Sequence, residues 1–168
     1  SDTKSLFDFS DPREVNRWGV VVDGVMGGLS TGFVRQQDGN LSFTGETSLR
    51  NNGGFSSIRA GLPGGVLSGY DAVRIRVKGD GRTWILGVRS QSGMGGDSYW
   101  TRFETRKGEW MTVTAPISEM EHHFFGERIP GRISPRNIRG IEFYIYDKKS
   151  GPFDLEVESI EGVRGQSL

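Results

Sequence analysis

Apolar and polar residues alternate with period two over much of the chain. Val73, Ile75 and Val77 fall on one side of a strand, with Arg74 and Arg76 on the other. Ile141, Phe143 and Ile145 alternate with Glu142, Tyr144 and Tyr146. Phe153, Leu155 and Val157 alternate with Asp154, Glu156 and Glu158, and Trp100, Arg102 and Glu104 with Tyr99, Thr101, Phe103 and Thr105. One apolar and one polar face is the pattern of antiparallel sheets with a solvated side. It predicts strands near residues 5–9, 18–22, 31–36, 40–45, 55–60, 71–78, 83–91, 98–106, 109–115, 138–147 and 153–161. Turn signals separate them: Asp38-Gly39, Pro63-Gly64-Gly65, Gly79-Asp80-Gly81, Lys107-Gly108 and Ser150-Gly151-Pro152. Ser118 predicts the cap of one short helix over 119–125, and a brief turn is predicted near Asp11-Pro12-Arg13-Glu14. The expected fold is all-β, an antiparallel β-sandwich or jelly roll with at most one or two short helices.

Composition adds limits. The 168 residues suit a single domain, 1–168, large enough for one real core. The 26 glycines have no G-X-Y period, which excludes collagen and agrees with many tight turns. The 21 basic and 21 acidic residues cancel, so the excess of Lys and Arg expected of a general nucleic-acid binder is missing. Without cysteine the chain has no disulfide, thiol catalysis or Cys-ligated zinc. No apolar run approaches the roughly 20 residues of a membrane span. The opening SDTKSLFDFS carries no basic-then-apolar signal pattern. The chain reads as soluble, in a cytoplasmic or stroma- or matrix-like organellar compartment, with export left open.

Two Gly-rich segments stand out in the N-terminal third. Trp18 to Ser30 reads WGVVVDGVMGGLS, and Asn51 to Arg59 reads NNGGFSSIR. Phe43-Thr44-Gly45 lies between them; later come Tyr70, RIRVKGDGR from Arg74 to Arg82, Trp110 with Pro116, and GPFDLEVESI from Gly151 to Ile160. This order and spacing resembles the complex I intermediate-associated protein 30 family over nearly the whole chain. The resemblance implies a galactose-binding-like β-sandwich, related in architecture to carbohydrate-binding modules. It also implies an assembly or chaperone-type role toward respiratory or photosynthetic membrane complexes, with their subunits or assembly intermediates as partners.

The residues of the two segments allow two readings. Asp23 accepts hydrogen bonds from nearby amides as Asx turns do, Asn51 and Asn52 offer the same chemistry, and Arg59 is placed to pair with Asp23. Both segments then serve as structural turns that lock neighbouring loops. Alternatively they form one rim of a binding site, since such sites sit on loops held by a rigid scaffold. Arg89, Tyr99 and Arg102 are candidates for a concave sheet face, where aromatic neighbours such as Trp100 and Tyr144 would stack on a sugar or hold a peptide.

Other chemistry is weaker. Gly28-Leu29-Ser30-Thr31-Gly32 fits G-x-S-x-G, but a strand pattern follows where a helix is needed. His122 and His123 are adjacent, a poor arrangement for one metal, and read as a solvated loop or helix pair. Asp154, Glu156 and Glu158 step about 6.7 Å apart along one strand face, a separation compatible with glycoside cleavage and equally with an exposed polar face. Arg128, Arg132, Arg136 and Arg139 read as a solvated loop or as a docking surface for an acidic partner or anionic lipid head groups. Asn40-Leu41-Ser42 is an isolated glycosylation sequon. No catalytic set, metal site or cofactor is implied. The reading is a non-catalytic binding module of the assembly-factor kind, with a carbohydrate-binding module as the alternative and a glycoside-active enzyme behind both.

Overall fold

The computed structural model describes residues 2–91 and 96–165, without the side chains of residues 25, 26 and 52. Thirteen strands follow in chain order: β1 Thr3–Asp8, β2 Gly19–Val22, β3 Phe33–Gln37, β4 Asn40–Thr47, β5 Ser56–Gly61, β6 Ala72–Lys78, β7 Thr83–Arg89, β8 Asp97–Glu104, β9 Trp110–Pro116, β10 Glu121–Phe124, β11 Glu127–Arg128, β12 Gly140–Ile145 and β13 Gly151–Val163. One sheet runs β3-β4-β13-β6-β9, with β1 also paired to β13. β4 meets the first half of β13 and β1 the second, so the two lie end to end along the same side of that long strand. The other sheet runs β11-β10-β8-β7-β12-β5-β2. Its pairings, like those of the first sheet, are antiparallel. The fold is the antiparallel β-sandwich that the alternation predicts.

The apolar sides of the two sheets face each other. Phe43 from β4, Phe153 from β13 and Trp84 from β7 meet edge to face, with centroids 4.9 to 5.8 Å apart. A second cluster joins Phe7, Phe9 and Trp18 to Phe143. Burial of each such ring contributes about 2–3 kcal/mol, which sets the register: a one-residue slip would turn every one of them to water.

All eleven predicted strands are present, with ends shifted by a few residues. The turn near Asp11 is one short α-helix, α1 Pro12–Val15; the Asp11 carboxylate accepts from the Arg13 amide as its N-cap. Residues 119–125 overturn the expected helix. A 3-10 turn over Ile117–Glu119 leads straight into β10. The reason is tertiary. Glu121 to Phe124 pairs with β8, and His122 and His123 stack on Tyr99 and Trp100 at centroid distances of 4.4 and 3.9 Å, one on each face. A helix over these residues would forfeit both stacks and the ladder.

Candidate functional site

Asp23 follows β2 directly and opens a 3-10 turn, Asp23–Met26, closed by Gly27 at φ +87°. Its side chain is fully buried. Oδ1 accepts from the Ser30 amide at 2.9 Å; Oδ2 accepts from the Ser30 hydroxyl at 2.5 Å, the Gly54 amide at 2.6 Å and the Phe55 amide at 3.2 Å. The Ser30 hydroxyl in turn accepts from the Ser48 amide at 2.9 Å. Burial alone would push the Asp23 carboxyl upward, but these donors outweigh it and hold it below the usual carboxylate range. One carboxylate thus stitches DGVMGG to NNGGF. Two glycines make room for it: a Cβ on Gly28 would overlap the carboxyl group, and one on Gly53 would lie 2.6 Å from Oδ2. The structural-turn reading of these segments describes what Asp23 does.

The expected pairing of Asp23 with Arg59 does not occur. Arg59 lies on the face of β5 turned away from the core, where its Nη2 is 3.5 Å from Glu142 Oε2 and 3.2 Å from the Tyr144 hydroxyl. The register explains this, because Arg59 stands opposite Glu142 on β12. Asn51 is exposed, at φ +54°, within the 3-10 turn over Arg50–Asn52. The Asn52 side chain lies outside the described residues. The loops carry Leu29 and Leu49 outward at 53 and 47% exposure, one residue from the bonded Ser30 and Ser48. Arg50, Lys148 and Lys149 are exposed nearby; the Lys149 carbonyl accepts from the Thr47 hydroxyl, two residues before Leu49.

The outer face of the seven-stranded sheet centres on Glu142, which is fully buried. Its Oε1 accepts a short hydrogen bond from the Ser98 hydroxyl, which itself accepts from the Trp100 indole N–H at 2.6 Å. Oε2 accepts no hydrogen bond among the described residues and lies between Arg59 and Arg89, whose Nε is 3.9 Å away. Burial raises the Glu142 carboxyl above its ordinary range, against the opposing pull of Ser98 and the two guanidiniums. The same burial, followed by the Glu142 charge, pushes the Tyr144 phenol up to about 12. A sheet face turned away from the core is normally solvated, and here rings cover it. Trp100 is only 4% exposed: His123 stacks on it, Tyr144 and Tyr146 lie 5.6 and 6.4 Å away, and the Arg102 guanidinium sits 5.7 Å over it. Phe55 packs beside both tyrosines and ties this cover to the Asp23-locked loop.

With this geometry in view, comparison with known proteins is decisive about kinship. A family model described as complex I intermediate-associated protein 30 matches residues 7–157. The chain belongs to that family. The mitochondrial complex I intermediate-associated protein 30 of Mus musculus is 25% identical over 181 residues, covering 92% of this chain and 54% of the mouse protein. The chain therefore spans about half the length of that relative. Among solved structures, the family 11 carbohydrate-binding module of a Clostridium thermocellum cellulosomal cellulase superposes with a TM-score of 0.73 at 18% identity, covering 97% of this chain and 95% of the module. The Clostridium thermocellum family 11 module in complex with a β-1,3-1,4-mixed-linked tetrasaccharide gives 0.70 at 20% identity, covering 97 and 96%. At these identities the likeness shows the fold alone, an antiparallel β-sandwich of the kind these modules share.

In this member of the complex I intermediate-associated protein 30 family, Arg89 and Arg102 share the outer face with Arg59, Glu142 and Trp100. Arg89 is buried and Arg102 is exposed, 3.2 Å from Glu121. Tyr99 is a correction: it occupies the other side of β8, packed against the core and on His122. Strand parity dictates this, since Tyr99 and Arg102 are an odd number of residues apart. His122 and His123 are not a solvated pair. His122 Nε2 is 2.6 Å from Asp97, and His123 is buried on Trp100. Asp154 and Glu156 lie on the outer face of the other sheet, and a β-bulge between Val157 and Ser159 displaces Glu158. Glu156 pairs with Lys78 at 2.6 Å and Glu158 approaches Arg76 at 4.0 Å, so the three carboxylates form no common group. The sequence reading singles out neither Glu142 nor Ser98, and it places His123 in solvent. The available signal was a lone acid, Glu142, followed on the same face by Tyr144 and Tyr146, on a strand whose opposite face is wholly apolar.

Proposed function

We propose that this chain is a protein-binding module of the assembly-factor kind, chaperone-like toward subunits or intermediates of a membrane complex, with the locked signature loops as its working rim. The observation that carries the reading is the contrast between two surfaces. The loops tied by Asp23 hold Leu29 and Leu49 out in solvent beside Arg50 and Lys148, while the middle of the outer sheet face is closed over Glu142 and Trp100. Exposed apolar side chains on a fixed scaffold, flanked by charge, suit a protein partner better than a solvated free surface. Membership of a family named for association with an intermediate of complex I supports it. Among the described residues, no helix is long and apolar enough to cross a membrane. The test is affinity capture from native extract of the source cells, compared with the Leu29→Asp/Leu49→Asp variant. Subunits of one membrane complex should be enriched by the native chain and reduced at least about tenfold by the variant, as loss of two interface anchors implies. Equal recovery by both would refute the reading.

A carbohydrate reading keeps one specific support: Tyr146 is 36% exposed at the end of the outer face, beside Phe55, on a fold shared with a module solved in complex with a tetrasaccharide. Titration calorimetry with mixed-linkage β-glucan decides it. Heat of binding abolished by Tyr146→Ala would favour sugar; none with the native chain excludes that ligand.

A further inference from the structure

A groove lies at the end of the sandwich opposite the signature loops. β5 and β13 begin at the signature end and β4 and β12 finish there; β9 finishes, and β6 and β12 begin, at the far end. At that far end two adjoining depressions share Asp71, Ser134 and Pro135. Arg136 and Tyr70 line one; Arg132, Ser118 and Ile117 line the other. The floor of the groove is apolar, with Ile117 and Ile133 both buried. Its walls are basic. Arg132 and Arg136 are exposed, and neither has a carboxylate within 4.0 Å among the described residues, whereas Arg59, Arg74, Arg82, Arg102 and Arg128 each have one. A third guanidinium, Arg164, lies 4.6 Å over the Tyr70 ring and donates to the Gly69 carbonyl. Against these stands one acid, Asp71, which the Gly165 amide already engages and whose carbonyl accepts from the Ile117 amide at 2.9 Å.

We propose that this groove takes an extended, carboxylate-bearing segment of a partner protein, with its carboxylates on Arg132 and Arg136 and its apolar side chains against the half-buried Pro116 and Pro135. A guanidinium fork matches a carboxylate with two parallel hydrogen bonds; Arg132 Nη1 donates to the Gly131 carbonyl at 3.0 Å, but no carboxylate holds either guanidinium among the described residues, so both can take one. The two adjoining depressions set Arg132 and Arg136 on either side of the shared Ser134 and Pro135, which suits a chain segment that spans both. Pro116 and Pro135 carry no N–H, so recognition passes through side chains instead of strand addition. The proposal rests on the protein-partner reading and gives it a second contact, separated from the signature rim by the length of the sandwich.

The probe is a short acetylated peptide alternating glutamate and valine, titrated into the isotope-labelled chain and followed by NMR. Saturable shifts are expected at the Ser118 and Ser134 amides and at the Arg132 and Arg136 Nε signals. They should weaken at least about tenfold in the Arg132→Ser/Arg136→Ser variant, since each lost charge-assisted contact is worth several-fold or more. Both arginines are exposed, so the variant keeps the fold; an unchanged thermal midpoint verifies this. Absence of saturable shifts, shifts centred on Arg50 and Lys148, or an equal response to the lysine-for-glutamate peptide each overturns the proposal. So does saturation by inorganic phosphate without peptide binding, which would mark a small-anion site. The titration uses no natural partner. Its failure with capture intact removes the groove alone, and failed capture with peptide bound removes the signature rim alone.

Discussion

Asp23 shows how much one side chain can hold. Four donors from two sequence-distant loops converge on its carboxylate. Asn in its place keeps the shape but turns an NH2 toward the Gly54 and Phe55 amides, donor against donor. Asp23→Asn should therefore cost about 2–3 kcal/mol in urea unfolding near neutral pH. The pH dependence follows from the depressed folded pKa. Asp23 is ionised and stabilising above its unfolded value, about 4, and that contribution is lost as pH falls through the lower folded value. The gap between native chain and variant should narrow below about pH 4; a gap constant down to acid pH would mean that the carboxylate charge is not what binds the loops. Glu142 is the opposite case, a carboxylate raised by burial and held between two arginines. A buried arrangement of this kind specifies geometry more than it adds stability.

Among the elements, the β10–β11 hairpin departs most from its sequence expectation. Phe125 and Gly126 form its two-residue turn at φ +48° and +85°. The first position favours Asn or Asp, because a left-handed Cβ crowds its own carbonyl. Phe125 takes on that cost while 76% exposed, its ring set edge-on to Phe124 and lying against Gly96. Phe125→Asn should raise stability by about 1 kcal/mol, read as a higher denaturant midpoint with unchanged slope. A lower midpoint would show that the Phe124–Phe125 contact outweighs the backbone strain. The hairpin exists because β8 offers it an edge and two rings to stack on. No window of sequence around Ser118 contains that information.

At the scale of the whole molecule, Arg82 clamps the two sheets together at the signature end. It precedes β7 and donates to both oxygens of Asp147, which follows β12, at 2.9 and 2.6 Å. It also donates to Thr47 on β4, to the Lys149 carbonyl, and to the Gly151 and Pro152 carbonyls of β13. A point-like ammonium cannot reproduce this fork, so Arg82→Lys should lose about 2–3 kcal/mol of stability by thermal or urea unfolding. Near-native stability would indicate that the sheets are held by the aromatic core alone.

The sequence by itself determined eleven of the thirteen strands, the antiparallel sandwich and the family. Period-two alternation and turn residues such as Asp38-Gly39 are local properties, written within a few residues of where they act. It also singled out Asp23 and the two glycine segments that the structure ties together. Only the tertiary structure decided which polar side chains lose their water. Alternation places Glu142, Arg59 and Trp100 on a face of their strands but is silent on what covers that face. Phe55, Tyr144, Tyr146 and His123 come from three different strands or loops to do so. The partner of Arg59, the bulge at Glu158 and the groove between Arg132 and Arg136 likewise depend on register and on contacts between residues far apart in the chain. Those are set by packing the whole molecule and leave no mark in any short stretch of sequence.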